Sequence, residues 1–200
     1  MIARVWVLLG LLAGAARADV GATGVDAGAA PRWVVALDAT SSADRARTSN
    51  REGAVTLRGA GFGLHLAVAR RLRASRCYVL GVVSARVTGE LTRSAMSAAP
   101  LPDAALLQGG VAAGVAWSSR SRWWLSAALG PTLALYTSPR ALGLTDVGVG
   151  LDLAATRSFP VHGAWSIDVA GRGAIAALPD GAQTWTLGSL GLALALRAAW

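Results

Sequence analysis

The chain has 200 residues, 54% of them hydrophobic, with 19 basic residues that are all arginine, 11 acidic residues and a formal net charge of +8 at pH 7. Its one cysteine, Cys77, excludes an internal disulfide, and neither a C-x-x-C pair nor a histidine cluster gives reason to expect a metal or another cofactor. After residue 18 no uncharged apolar stretch of about 18 residues survives without Gly, Pro or Arg clusters breaking it, which excludes a helical membrane bundle despite the hydrophobicity.

Residues 1–18 read as a secretory signal peptide. Arg4 makes a short positive start, Val5 to Leu12 (VWVLLGLL) an apolar stretch, and Ala16-Arg17-Ala18 an A-x-A cleavage site before Asp19. A retained membrane anchor is the competing possibility, but that apolar stretch falls short of a hydrocarbon layer about 30 Å thick. No cysteine follows the cleavage point, which argues against a lipoprotein. Residues 19–32 (DVGATGVDAGAAPR) have no period and no bulky side chain, and are expected to form a flexible tether. Residues 33–200 then make one domain.

Within that domain the pattern predicts strands at about 33–40, 57–70, 76–89, 105–118, 122–136, 144–157, 163–177 and 184–200. In the second, Phe62, Leu64, Leu66 and Val68 alternate with Gly61, Gly63, His65 and Ala67. In the sixth, Val147, Val149, Leu151 and Leu153 oppose Asp146, Gly148, Gly150 and Asp152, and in the seventh Trp165, Ile167, Val169 and Ile175 oppose Ser166, Asp168, Ala170 and Arg172. The third has bulk on both faces. A soluble sandwich also alternates. Here the second face is mostly Gly, Ala and Ser with a few charges near mid-strand, which suits a narrow lumen inside an apolar outer band.

The last stretch is the most regular. Leu190, Leu192, Leu194, Leu196, Ala198 and Trp200 fall at every second position, against Gly191, Ala193, Ala195, Arg197 and Ala199. It resembles the C-terminal strand of bacterial outer-membrane β-barrels, in which a terminal aromatic and alternating apolar residues, here Leu192, Leu194, Leu196 and Trp200, form the assembly signal. The resemblance to small eight-stranded barrels of the OmpA/OmpX kind extends over residues 19–200. It implies an all-β, eight-stranded antiparallel up-and-down transmembrane β-barrel in the outer membrane, with the tether and C-terminus periplasmic. It also implies outer-membrane lipids around the barrel, the barrel-assembly machinery as partner during biogenesis, a monomer and no cofactor.

Loop lengths and aromatics are consistent with that orientation. Short turns are expected at Arg71–Ser75, Ser119–Ser121 and Ser158–His162, and long outer loops at Ser41–Thr56 and Glu90–Ala104. Trp33, Tyr78, Trp117, Trp123, Phe159, Trp165 and Trp200 fall at the periplasmic strand ends, with Trp124 beside them, where a headgroup-level girdle is expected. Tyr136 and Trp185 mark the outer rim. The positive charge collects in short turns of an exported chain, which points to anionic lipid headgroups rather than nucleic acid.

No catalytic constellation emerges, and no enzyme is expected. Barrels that deacylate lipid A carry a His followed two residues later by Ser, whereas His65 is followed by Leu66-Ala67 and His162 by Gly163-Ala164. The remaining signal is the inward charge: Asp38, Arg86, Asp146, Asp152, Asp168, Arg172 and Arg197. Such charges must pair or stay wet. If the last two strands form a hairpin whose opposed positions sum to about 363, Asp168 lies near position 195, a diagonal step from Arg197. A lumen cluster of Asp152, Asp168, Arg172 and Arg197, with Arg86 on the same inward side, is therefore expected to close the barrel. The expected role is structural or surface-interacting through the outer loops. A narrow porin-like ion or solute channel is the alternative, and a lipid A-modifying enzyme a more distant one.

Overall fold

A strand between lipid and a narrow lumen needs large apolar residues on one side and small or polar ones on the other, and the computed structural model turns that alternation into eight long antiparallel strands. It describes residues 31–50, 53–73, 75–94, 98–100, 104–137, 145–180 and 183–200; the expected signal peptide and nearly all of the tether lie outside them. The strands are β1 (Trp33–Asn50), β2 (Gly53–Arg71), β3 (Cys77–Ser94), β4 (Ala105–Ser118), β5 (Trp123–Thr137), β6 (Thr145–His162), β7 (Trp165–Asp180) and β8 (Gln183–Ala199). Each pairs with the next, and β1 pairs with β8 from Val34↔Ala199 to Arg47↔Thr186, so the sheet closes into a ring without free edges. Trp33 and Trp200 complete the seam by exchanging backbone hydrogen bonds of 2.7 and 3.0 Å. The end of the barrel that holds these two residues is called the terminal end, and the opposite one the distal end.

The side chains sort as the alternation requires. Leu190, Leu192, Leu194 and Leu196 are 73, 71, 63 and 52% exposed on the outside of β8. Phe62, Leu64, Val83, Val111, Val115, Leu129, Val147, Val149 and Ile175 continue the exposed apolar surface around the ring. A water-soluble monomer rarely exposes apolar patches beyond a few hundred Å². A belt on every strand is what a barrel surrounded by hydrocarbon presents.

Several boundaries differ from the sequence expectation, each for a physical reason. The strand expected at 33–40 runs to Asn50, and within the expected loop Ser41–Thr56 residues 41–50 and 53–56 instead belong to the distal part of the β1–β2 ladder, paired through Asn50↔Gly53. This part alternates in burial, with Ser42, Asp44, Ala46 and Thr48 inward, but not in hydropathy, because it extends past the apolar band. β3 likewise continues to Ser94, and Ala98–Pro100 folds back to pair with Thr92–Ser94. The expected turn Ser158–His162 belongs to β6; the chain reverses at Gly163-Ala164, where Gly163 adopts φ +55, which glycine reaches without strain. β7 and β8 meet through Asp180↔Gln183, with opposed positions summing to 363 along the ladder.

Candidate functional site

The lumen is layered along its axis. Near the terminal end Val34, Ala69, Tyr78, Leu80, Val82, Ala116 and Ala128 form a buried apolar cluster, with Trp124 packed against it. Near the distal end Ala46, Leu57, Leu91, Ala104, Leu106, Ala134, Ala176, Leu178 and Leu187 form a second, with Tyr136 and Trp185 against it. These two clusters correct the expected girdle. Tyr78 is fully buried inside the barrel, its ring centroid 4.7 Å from that of Trp124, and Tyr136 and Trp185 also turn inward. Their parity explains it, since Tyr78 shares a face with Leu80 and Val82, which is inward on β3. Trp117, Trp123, Phe159 and Trp165 stand exposed on the outside at the terminal end, and Trp33 and Trp200 are half-buried there.

Between the two apolar layers lie the charges. Arg172 of β7 donates from Nη2 to Asp38 Oδ2 of β1 at 2.6 Å and from Nη1 to Asp152 Oδ1 of β6 at 2.7 Å. One guanidinium therefore clamps two carboxylates from different walls, the fork geometry for which arginine is suited. Asp38 is directly opposite His65 across the β1–β2 ladder. Its Oδ1 also lies 2.9 Å from His65 Nδ1 and accepts a 3.2 Å hydrogen bond from Thr40 Oγ1. His65 is thus part of the charged layer, with a partner that its place in the strand alternation does not disclose.

A separate pair sits nearer the terminal end. Arg197 Nε is 2.5 Å from Asp168 Oδ2, and Ser166 Oγ donates to Asp168 Oδ1 at 3.1 Å. The Arg197 guanidinium also lies 4.3 Å from the centre of the Trp124 ring, a favourable cation–π position. A third group lies on the distal side. Arg86 Nη1 is 3.7 Å from Asp44 Oδ1, while Thr88 Oγ1 donates to Asp44 Oδ2 at 2.5 Å. Gly61 makes this reach possible. It lies on β2 between β1 and β3, and a Cβ there would collide with the Asp44 carboxylate.

The single cluster expected from Asp152, Asp168, Arg172, Arg197 and Arg86 is therefore three groups in the structure. Asp38, His65 and Asp44 are the members that sequence reading did not assign to it. Asp38 carried a legible signal, its inward parity. Asp44 carried none, because its segment was read as a loop.

The wall facing these groups is made of small residues. Gly110, Gly130, Gly150 and Thr132 on β4–β6, with Ser84, Gln108 and Ser189, border a cavity of about 60 Å³ reached by His65, Arg86 and Asp152. At roughly 10–15 Å³ per water it accommodates a few water molecules. No cluster of metal-ligating side chains occurs among the described residues.

No family model matches the sequence, and no curated protein matches it either. Solved structures do. Neisserial surface protein A is 16% identical at a TM-score of 0.52, over 86% of this chain and 99% of that one. OprG from Pseudomonas aeruginosa is 9% identical at 0.49, over 86% and 99%, and Ail of Yersinia pestis, solved with the heparin analogue sucrose octasulfate, is 14% identical at 0.45, over 82% and 99%. The likeness to the neisserial protein is one of architecture, and together with the closed ring and the apolar belt it leads to one conclusion: this chain folds as a small eight-stranded β-barrel of the outer-membrane type.

Proposed function

We propose that the protein is a monomeric, non-enzymatic barrel of the bacterial outer membrane, with its distal end outward, acting as a structural or surface-interaction protein. The observation that carries this reading is the filled lumen: two apolar layers enclose charges that are paired with each other. A barrel so filled has its outer surface and distal end left for contact with other molecules. That role accords with the neisserial neighbour's being named a surface protein.

Orientation is tested with Arg93→Cys and Arg120→Cys in a Cys77→Ser background. A membrane-impermeant maleimide should label the first on intact cells and the second only after permeabilisation; the reverse pattern would invert the assignment. The small cavity beside Arg86 favours a second reading, a narrow ion path. Planar-bilayer recording of the refolded protein separates the two. A silent trace fits the filled barrel, and a large, steady conductance establishes the channel instead.

A further inference from the structure

Arg45 on β1 and Arg58 on β2 stand directly opposite each other, both exposed on the outside of the barrel. Like charges at opposed positions weaken a sheet. Arg47 is the next outward residue of β1, and Thr92 of β3 stands in register with Arg58; Arg93 pairs with the buried Leu57 and so belongs to the inward face. Among the described residues no carboxylate pairs with Arg45, Arg47 or Arg58, and no aromatic ring covers them.

Their height on the barrel indicates a partner. The outward residues of β1 run Val35, Leu37, Ala39, Ser41 and Ala43 before Arg45; those of β2 run Val68, Leu66, Leu64, Phe62 and Ala60 before Arg58. The arginines begin where the apolar face ends. On β8, Gly188 lies in register with Arg45, and a Cβ built there would meet nothing within 4 Å, so the sheet surface next to Arg45 is open on that side. Outward arginines at the terminal end are placed differently, Arg70 over Trp33 at 5.2 Å and Arg157 over Trp123 at 5.6 Å.

We propose that Arg45, Arg47 and Arg58 form a docking site for the phosphate headgroup of a membrane lipid whose acyl chains lie along Phe62 and Leu64. A phosphate between Arg45 and Arg58 converts their repulsion into two charge-assisted attractions, and guanidinium groups match its oxygens in pairs. The apolar residues directly below supply a surface for the chains, which a free anion lacks. The site goes beyond the proposed role and holds whichever end of the barrel faces outward.

Native mass spectrometry of the full-length protein refolded in neutral detergent tests it, with phosphatidic acid, phosphatidylcholine of the same acyl chains, and inorganic phosphate as probes. Wild type should retain phosphatidic acid over phosphatidylcholine. Arg45→Gln/Arg58→Gln should lose roughly tenfold of that preference, the scale of one charge-assisted hydrogen bond, while Arg70→Gln/Arg157→Gln keeps it. Arg58→Glu gives Arg45 an internal partner, so it should melt higher than wild type in lipid-free detergent and still lose the preference, which keeps the test open if the double variant does not fold. The proposal is overturned by a wild type without preference, by equal loss in the two double variants, by an Arg58→Glu barrel that retains the lipid, or by inorganic phosphate displacing phosphatidic acid at equal concentration.

Discussion

The two ends of the β1–β2 ladder use the same backbone geometry for different ends. At the terminal end the outward rung is Trp33↔Arg70, with the guanidinium over the indole; at the distal end it is Arg45↔Arg58, cation against cation. Midway, on the inward side, is Asp38↔His65, joined at 2.9 Å and clamped by Arg172. The difference shows that register only brings two side chains together. Whether a rung is satisfied within the chain or left to its surroundings depends on which residues meet and on which side of the sheet they lie.

The inward rung should be the most sensitive. Arg172→Ala leaves the buried Asp38 and half-buried Asp152 without their shared cation, and should cost about 3–5 kcal/mol, the usual loss when one member of a buried ion pair is removed. Equilibrium unfolding of the refolded barrel in urea measures it. The triple change Asp38→Asn/Asp152→Asn/Arg172→Met should cost clearly less, and an equal or greater loss would mean that the charges stabilise the fold outright.

The Asp168–Arg197 pair sharpens the same point away from the ladder. Each single alanine variant should be destabilised by several kcal/mol, and the double variant by less than the sum of the two, because no unpaired charge remains. Strictly additive melting shifts in a thermal series would show that the two side chains act independently. Arg197 also gives up its position over Trp124, so it should be the costlier single change.

Outward rungs should respond weakly. Arg70→Ala removes an exposed cation–π contact worth about 0.5–1 kcal/mol, a loss to be read from the same unfolding curves. Arg58→Glu should have the smallest effect and the opposite sign, a gain of about 0.2–1 kcal/mol in neutral detergent from replacing repulsion across the rung by attraction. If Arg58→Glu instead destabilised as much as Arg70→Ala, the contrast between the two ends would disappear.

How far each feature was legible depended on whether one strand's alternation contained it. The β8 residues Leu190 to Leu196 disclosed the outer face by themselves, because membrane and lumen impose opposite chemistry on neighbouring positions. The register of β7 against β8 was also accessible, since a short connection leaves few ways to align two strands. Asp44 was not accessible. Its segment lies beyond the apolar band, where both faces are polar and the period of two disappears from hydropathy while persisting in the backbone. Tyr78 misled for a related reason. An aromatic near a strand end fits a headgroup girdle or an interior layer equally well, and only its parity with Leu80 and Val82 separates them.

The amino-acid sequence alone determined that the chain is β, that its strands present one apolar face, and that arginines and aspartates share the other, since these follow from local alternation and composition. Ring closure decided the rest. Arg172 reaches Asp38 from β7 to β1 with β8 lying between them, and Arg197 of β8 reaches the Trp124 ring on β5 past β7 and β6. Such contacts depend on the diameter and curvature of the closed barrel, which bring residues far apart in the chain within about 3–4 Å of each other, as hydrogen bonds and apolar contacts require. No periodicity along a single strand encodes that distance.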